Sequence, residues 1–243
     1  MTISYARPSF LSMESSGFCP GCGHGTVHNI IAEVVDELKI REKTMIIHPV
    51  GCGTLGLFIM NLNVIGAAHG RASAIATAIK RCNPDNVVIC YQGDGDLAAI
   101  GMAETMYAAN RGESISVIFI NNTSYGMTGG QMAPTTMVGQ KATTCQNGRD
   151  VEIDGMPFKM SELIASLDAP RYVTRVAVHD AKNAMKARKA IKKSIEMQIN
   201  GEGYSFVEVI TMCPTNWKMS PVQCAEFIDD TVLKVFPLGV FKS

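Results

Sequence analysis

The sequence predicts an α/β fold, a parallel sheet flanked by helices. Three observations carry this. Apolar, β-branched runs alternate with segments of helical period along the chain, and the intervals between runs are long enough for crossover helices. Hydrophobic residues make up 47% of the 243 residues against 18% charged, enough to cover both faces of a sheet.

The elements follow in order. Residues 24–40 form a helix, with Val27, Ile30, Ile31, Val34, Val35 and Leu38 at helical spacing. TMIIHPVG (44–51) is a short buried strand stopped by Pro49 and Gly51. RASAIATAIKRC (71–82) is an Ala-rich helix, and NVVICYQG (86–93) a β-branched strand closed by glycine. DLAAIGMAETMYAANRG (96–112) is a helix with Gly112 as its C-terminal cap. SISVIFINN (114–122) is another buried strand, and 123–160, rich in Gly, Thr and Met, an ordered functional loop. RYVTRVAVH (171–179), a helix over 180–199 and YSFVEVIT (204–211) complete the pattern, which one domain over 1–243 accommodates. Helix 180–199 carries Lys182, Lys186, Lys189 and Lys193 opposite Ala184, Ala187, Ile191 and Ile195. This is an amphipathic surface helix with a solvated basic side, or else a docking face for an acidic protein or for phosphates.

Charge and cysteine usage exclude several classes. Lys+Arg and Asp+Glu balance at 22 each, so nucleic acid is not the expected partner. MTISYARPSF has no apolar signal region and no apolar run approaches a membrane span, so a cytoplasmic protein without a membrane partner is expected. Eight cysteines then read as thiols or metal ligands and not as disulfides.

YQGDGDLAAIGMAE (91–104) sets Asp94 and Asp96 where a buried strand runs into a helix. In open parallel sheets ligands bind beyond the carboxyl ends of the strands. Asp94 stands at such an end, Gly93 and Gly95 permit close backbone approach, and Asn121-Asn122 end the next strand at the same edge. A carboxylate and an amide oxygen are hard ligands for Mg²⁺, which keeps part of its shell for phosphate. The N-terminal amides of helix 96–112 favour an anion, so the parts describe a Mg²⁺–diphosphate site. Each half alone can also be an ordinary turn or cap. A dinucleotide loop is the poorer match, since Ala98 stands where the third glycine is required.

Cysteines mark the same edge. Cys19 and Cys22 of FCPGCGHG precede the first helix, while Cys52 of VGCGTLG and Cys213 of TMCPTNW each follow a strand. Thiolates from three segments meeting there suit an iron–sulfur cluster or a structural zinc. CPGC alone also matches a thioredoxin-like dithiol, but that reading would not call for Cys52 and Cys213. Cys82, Cys90, Cys145 and Cys224 lack such settings, and Cys90, inside an apolar strand, reads as core.

Gly93-Asp94-Gly95 followed by Asn121-Asn122 resembles the thiamine diphosphate signature. With CPGCGHG, PVGCG, AAHGRA, NNTSYGMTGGQMAPTT, CPTNW and FPLGVFK, the whole chain resembles the β subunit of 2-oxoacid:ferredoxin oxidoreductases, in the 2-oxoglutarate and branched-chain 2-oxoacid branch. The resemblance implies a thiamine diphosphate-binding fold with Mg²⁺ on Asp94, Asn122 and the carbonyl of Ser124. It implies cofactor contacts from Val50, Gly51, Cys52, Gly53, Gly93, Gly95, Asp96, Gly126, Met127 and Thr128, and a catalytic His69. It further implies a [4Fe–4S] cluster on Cys19, Cys22, Cys52 and Cys213, with Trp217 shielding it, and a 2-oxoacid, coenzyme A and ferredoxin as substrates. The glutamate that promotes ylid formation in relatives should come from an α-type partner chain, with or without γ- or δ-type subunits. GTLGLFIMNLN (53–63) lacks the lysine that archaeal 2-oxoglutarate relatives tend to carry, which favours a branched or aliphatic 2-oxoacid. Competing classes are a non-redox thiamine decarboxylase or synthase subunit holding zinc, and a thiamine-free iron–sulfur carrier. Of the remaining histidines (24, 28, 48 and 179), His28 is expected to be a packed or capped side chain.

Overall fold

Side chains alternate across each strand, and the two sets of apolar residues form two cores, one on each face of the sheet. The computed structural model describes residues 7–12 and 16–243; the first six residues of MTISYARPSF lie outside them. Strands β1 (Thr44–Pro49), β2 (Asn63–Ala67), β3 (Val87–Gly93), β4 (Ser116–Asn121), β7 (Tyr172–Ala177), β8 (Ser205–Ile210) and β9 (Gly239–Lys242) make one sheet in the order β2-β1-β3-β4-β8-β7-β9. Every neighbouring pair is parallel except β7–β9. Strands β5 (Ser124–Tyr125) and β6 (Gln131–Met132) form a separate small hairpin.

Ile46, Ile89, Tyr91, Ile118, Ile120, Val207 and Val209 point to one face, beneath α1 (Gly23–Leu38) and α7 (Ala181–Ile199). Ile47, Val88, Cys90, Val117, Phe119 and Phe206 point to the other, beneath α3 (Ala72–Cys82), α4 (Met102–Asn110) and α6 (Met160–Ala165). Short helices α2 (Gly56–Ile59), α5 (Val151–Asp154), α8 (Pro214–Trp217), α9 (Pro221–Phe227) and α10 (Leu233–Val235) fill the connections. Cys90 is fully buried, and Lys182, Lys186, Lys189 and Lys193 are not part of either core, as expected. No helix among the described residues is long and apolar enough to cross a membrane.

Three features depart from the sequence reading. Edge strands β2 and β9 were not anticipated, because NVIGA and GVFK are half-exposed and carry glycine, leaving no buried run to detect. The expected helix over 96–112 opens instead with a π-turn, Asp96–Ile100, and becomes α-helical only after Gly101. There Gly101 packs against Gly70, where an added Cβ would lie 2.7 Å from the Gly70 oxygen. At the other end Gly112, at φ +64°, follows the last turn and donates to Ala109 O, as a terminating glycine should.

The third is segment 123–160, which holds β5, β6 and α5 and is pinned by a buried guanidinium. Arg149 donates to the carbonyls of Ala133, Pro134, Thr136, Asp154, Gly155 and Met156 at 2.7–3.2 Å. Those carbonyls have left water for a single cationic side chain, so the loop's shape depends on that group. Arg149→Met is expected to cost about 3–5 kcal/mol and lower the melting temperature by about 10 °C. Thermal unfolding of the two proteins checks this.

A candidate active site at the carboxyl ends of the strands

From β1 the chain runs outward to β2, and from β3 it runs the opposite way to β4, so the crevice beyond β1 and β3 lies where the strand order reverses. A cleft opens there. After β1 come Val50, Gly51, Cys52 and Gly53; after β2, His69; after β3, Gly93 to Asp96; after β4, Asn122 and Ser124 to Thr128. His24, Pro49 and Tyr91 complete the lining. Every residue singled out from the sequence as a cofactor contact lies on this cleft. Gly51 takes φ +134°, closed to other residues, and a Cβ at Gly95 would run into the Tyr125 ring.

Asp94, Asn122 and Ser124 come together as expected. The Ser124 N–H donates to Asp94 Oδ2 at 3.0 Å and to Asn122 Oδ1 at 3.3 Å. Asp94 also accepts from the Gly95 N–H at 2.8 Å and from the Thr135 hydroxyl at 2.7 Å. Burial nevertheless pushes its carboxyl up to about 7, and it has no ion-pair partner among the described residues. Thr123, at φ +59°, turns the chain back so that Ser124 reaches Asp94. The two asparagines divide their work. Asn121 donates to Glu208 on β8 at 2.8 Å, leaving Asn122 on the cleft. The Trp217 Nε1–H holds the Asn122 carbonyl at 3.1 Å, which makes Trp217 a clamp on this turn. Thr135 carried no signal in the sequence beyond its place in MAPTT.

Two of the expected contacts are already engaged within the protein. The Gly95 N–H at the helix start donates to Asp94. Asp96 lines the cleft, but both of its carboxylate oxygens accept from protein groups. Its Oδ1 accepts from the Gly70 N–H at 2.6 Å and lies 2.5 Å from His69 Nδ1, and its Oδ2 accepts from Gln92 at 2.7 Å. His69 keeps its place on the cleft, with its side chain 30% exposed. The Thr128 hydroxyl donates to Gln131 at 2.5 Å.

Cys52 lines the cleft, and Cys19, Cys22 and Cys213 lie near enough to influence its thiol. Burial pushes the Cys22 thiol up to about 11 and Cys52 up to about 12, and each is raised further by charge on the other cysteines of the set. Cys52 also feels Asp94, and its sulfur would lie 3.1 Å from a Cβ on Gly126. Asn216 donates to Cys213 Sγ at 3.2 Å and to Gly126 O at 2.9 Å, and the Ser124 hydroxyl lies beside Cys213. Among the described residues no three His, Cys, Asp or Glu side chains close tightly enough for a single metal ion.

Behind this wall lies a buried nest that the sequence did not reveal. His28 and His48 stack at 5.2 Å, Tyr91 lies over His28 at 4.3 Å, and His24 Nδ1 sits 2.7 Å from the Tyr91 hydroxyl. His28 is capped as expected, donating Nδ1–H to His24 O at 2.8 Å, but its Nε2 and both nitrogens of His48 have no hydrogen-bond partner. Loss of hydration pulls His24 down to about 3 and His28 to about 4, and drives His48 well below the ordinary value. Bases depressed in the fold give stability that is present above about pH 6.5 and lost as pH falls toward 4 and 3. His48→Leu removes one such group, so its melting temperature should exceed that of the parent at pH 5 by more than it does at pH 7.5. Equal acid slopes for the two proteins would contradict this.

The family of the thiamine pyrophosphate enzyme C-terminal TPP-binding domain matches residues 56–209. Ketoisovalerate oxidoreductase subunit VorA of Methanothermobacter thermautotrophicus is 48% identical over 98% of this chain and 50% of its own length. The chain thus spans about half the length of the VorA relatives it matches. 2-Oxoglutarate synthase subunit KorB of Methanocaldococcus jannaschii is 34% identical over 88% of this chain and 77% of its own. Among solved structures, 2-oxoglutarate:ferredoxin oxidoreductase from Magnetococcus marinus, with 2-oxoglutarate, coenzyme A and succinyl-CoA bound, superposes with a TM-score of 0.78. It is 26% identical, over 94% of this chain and 74% of the other.

Proposed function

The chain belongs to the family of thiamine pyrophosphate-binding subunits of the 2-oxoacid oxidoreductases, and from that premise we propose that it is the β subunit of a cytoplasmic, coenzyme A-dependent 2-oxoacid:ferredoxin oxidoreductase. The observation that carries the reading is one cleft lined by a buried carboxylate without an ion-pair partner among the described residues and by Cys52, whose thiol feels Cys19, Cys22 and Cys213 nearby. Residues 1–243 act as one functional unit in this reading.

The residues present fit the groups. Asp94 is buried, short of a positive charge, and flanked by the Asn122 amide and the Ser124 backbone, an oxygen donor set for Mg²⁺ holding a diphosphate. Cys19, Cys22, Cys52 and Cys213 would hold a [4Fe–4S] cluster, in which each sulfur binds a different iron. Four thiols from three segments, mutually close enough to influence one another, are the donor set such a cluster takes. Bound here, thiamine diphosphate supplies an electron sink for decarboxylation, and the cluster a one-electron outlet toward ferredoxin. Asp94 and Asn122 anchor, Gly51, Gly53, Gly93, Gly95, Gly126 and Thr128 admit the cofactor, and His69 moves a proton at Nε2.

A partner chain completes the site. The cleft encloses about 100 Å³, while pockets that bury a small ligand usually hold about 300–1,000 Å³. Val50, Met127 and Phe58 stand 49%, 48% and 73% exposed, as expected of side chains awaiting a covering surface. Val50, Met127 and Tyr125 offer the substrate apolar and aromatic surface, and this favours a branched or aliphatic 2-oxoacid, in keeping with the ketoisovalerate named for the VorA relatives.

The test is to purify the chain anaerobically with its α-type partner and run a panel of 2-oxoacids. Iron, sulfide and thiamine diphosphate should be present. Coenzyme A-dependent ferredoxin reduction should be fastest with a branched-chain 2-oxoacid and absent for the chain alone. Asp94→Ala should weaken thiamine diphosphate binding roughly 100-fold, and Cys213→Ser should bleach the chromophore. A colourless zinc protein that decarboxylates without reducing ferredoxin would overturn the reading.

A further inference from the structure

Asp96 is buried beneath the cleft, and its surroundings dictate what its neighbour can do. One oxygen, Oδ1, serves both the Gly70 N–H and His69 Nδ1. The other is held by Gln92, whose amide cannot turn over freely. Its Oε1 accepts from the Ser73 hydroxyl at 3.1 Å, and Ser73 in turn meets Thr105 at 3.4 Å. Gln92, Ser73 and Thr105 are all fully buried, so Nε2 of Gln92 faces Asp96 as a donor. A carboxylate receiving N–H groups at both oxygens can only accept from His69, and this puts the ring proton on Nδ1. His69 Nε2 is then a bare lone pair on a half-open ring that lines the cleft, with no protein partner among the described residues.

We propose that Asp96 is a positioning residue: braced by Gln92, it holds His69 in the Nδ1–H tautomer so that Nε2 is the proton acceptor of the cleft. The proton passes from an O–H or S–H group of the substrates to Nε2, leaving an oxyanion or thiolate. The imidazolium so formed keeps its Nδ1–H on Asp96, whose negative charge offsets it, and Nε2 then gives up the proton it received to solvent water. The tautomer stands on the hydrogen bonds alone; the identity of the proton donor rests on the function proposed above.

Nitrogen-15 NMR of the full chain reads the tautomer without substrate, cofactor or partner. The His69 ring should show a protonated Nδ1 and an unprotonated Nε2, and Asp96→Ala should move the proton to Nε2. Because that variant also strips an acceptor from Gly70, the double variant Gln92→Glu with Asp96→Asn provides a second arm. The new amide at position 96 can still accept from Gly70 and His69 through its oxygen while its NH₂ donates to the new carboxylate at position 92. The Nδ1–H tautomer should therefore return. In the assembled complex, Asp96→Ala should lower acyl-CoA formation by roughly 10²–10⁴-fold, yet by less than about 3-fold in a His69→Gln background. A His69 tautomer indifferent to Asp96→Ala, or a rate loss that multiplies in full onto His69→Gln, would overturn the proposal. A tautomer that responds as expected supports the positioning whichever 2-oxoacid the complex turns over.

Discussion

Everything at the cleft is arranged around a carboxylate kept out of water. Asp94 receives hydrogen bonds from Gly95, Ser124 and Thr135, and these three donors come from three different parts of the chain. Burial still outweighs them and pushes the acid up to about 7. Such a group is costly to the empty chain and valuable only where a cation offsets it. The backbone strain at Thr123, the clamp from Trp217 and the Arg149-pinned loop that delivers Thr135 all hold the surroundings of Asp94 in shape.

The thiol wall and the carboxylate share structural parts. Ser124 donates its backbone to Asp94 and lies beside Cys213, while Gly126 meets both Cys52 and Asn216. Displacing one half of the site therefore displaces the other. The histidine nest behind Cys52 adds a layer that stays neutral across the physiological range, so it brings no positive charge to that side of the site.

The edges of the sheet explain how a chain can be stable as a fold and still, in the proposed function, need a partner for catalysis. Both faces are covered, by α1 and α7 on one side and α3, α4 and α6 on the other, and β9 runs antiparallel along β7 at one edge. The cleft itself stays open, with Val50 and Met127 of its lining about half exposed.

Much of this was legible in the residues themselves. Continuous apolar runs in β1, β3, β4, β7 and β8, helical spacing in α1 and α7, and the glycine, aspartate and cysteine positions at strand ends are local features. The linear order of the chain therefore determined the fold class and the residues that border the cleft. What tertiary structure alone decided was orientation. Asp94 and Asp96 are two residues apart and alike in sequence, yet the π-turn aims one at the cleft and the other at His69 and Gln92. Asn121 and Asn122 are adjacent and identical, yet only one avoids the pull of Glu208. His28 was expected to be packed, but that His24 and His48 join it, desolvated against Tyr91, only packing shows. A side chain's chemistry is written in its type, but its direction depends on partners far away along the chain, brought near only by the fold.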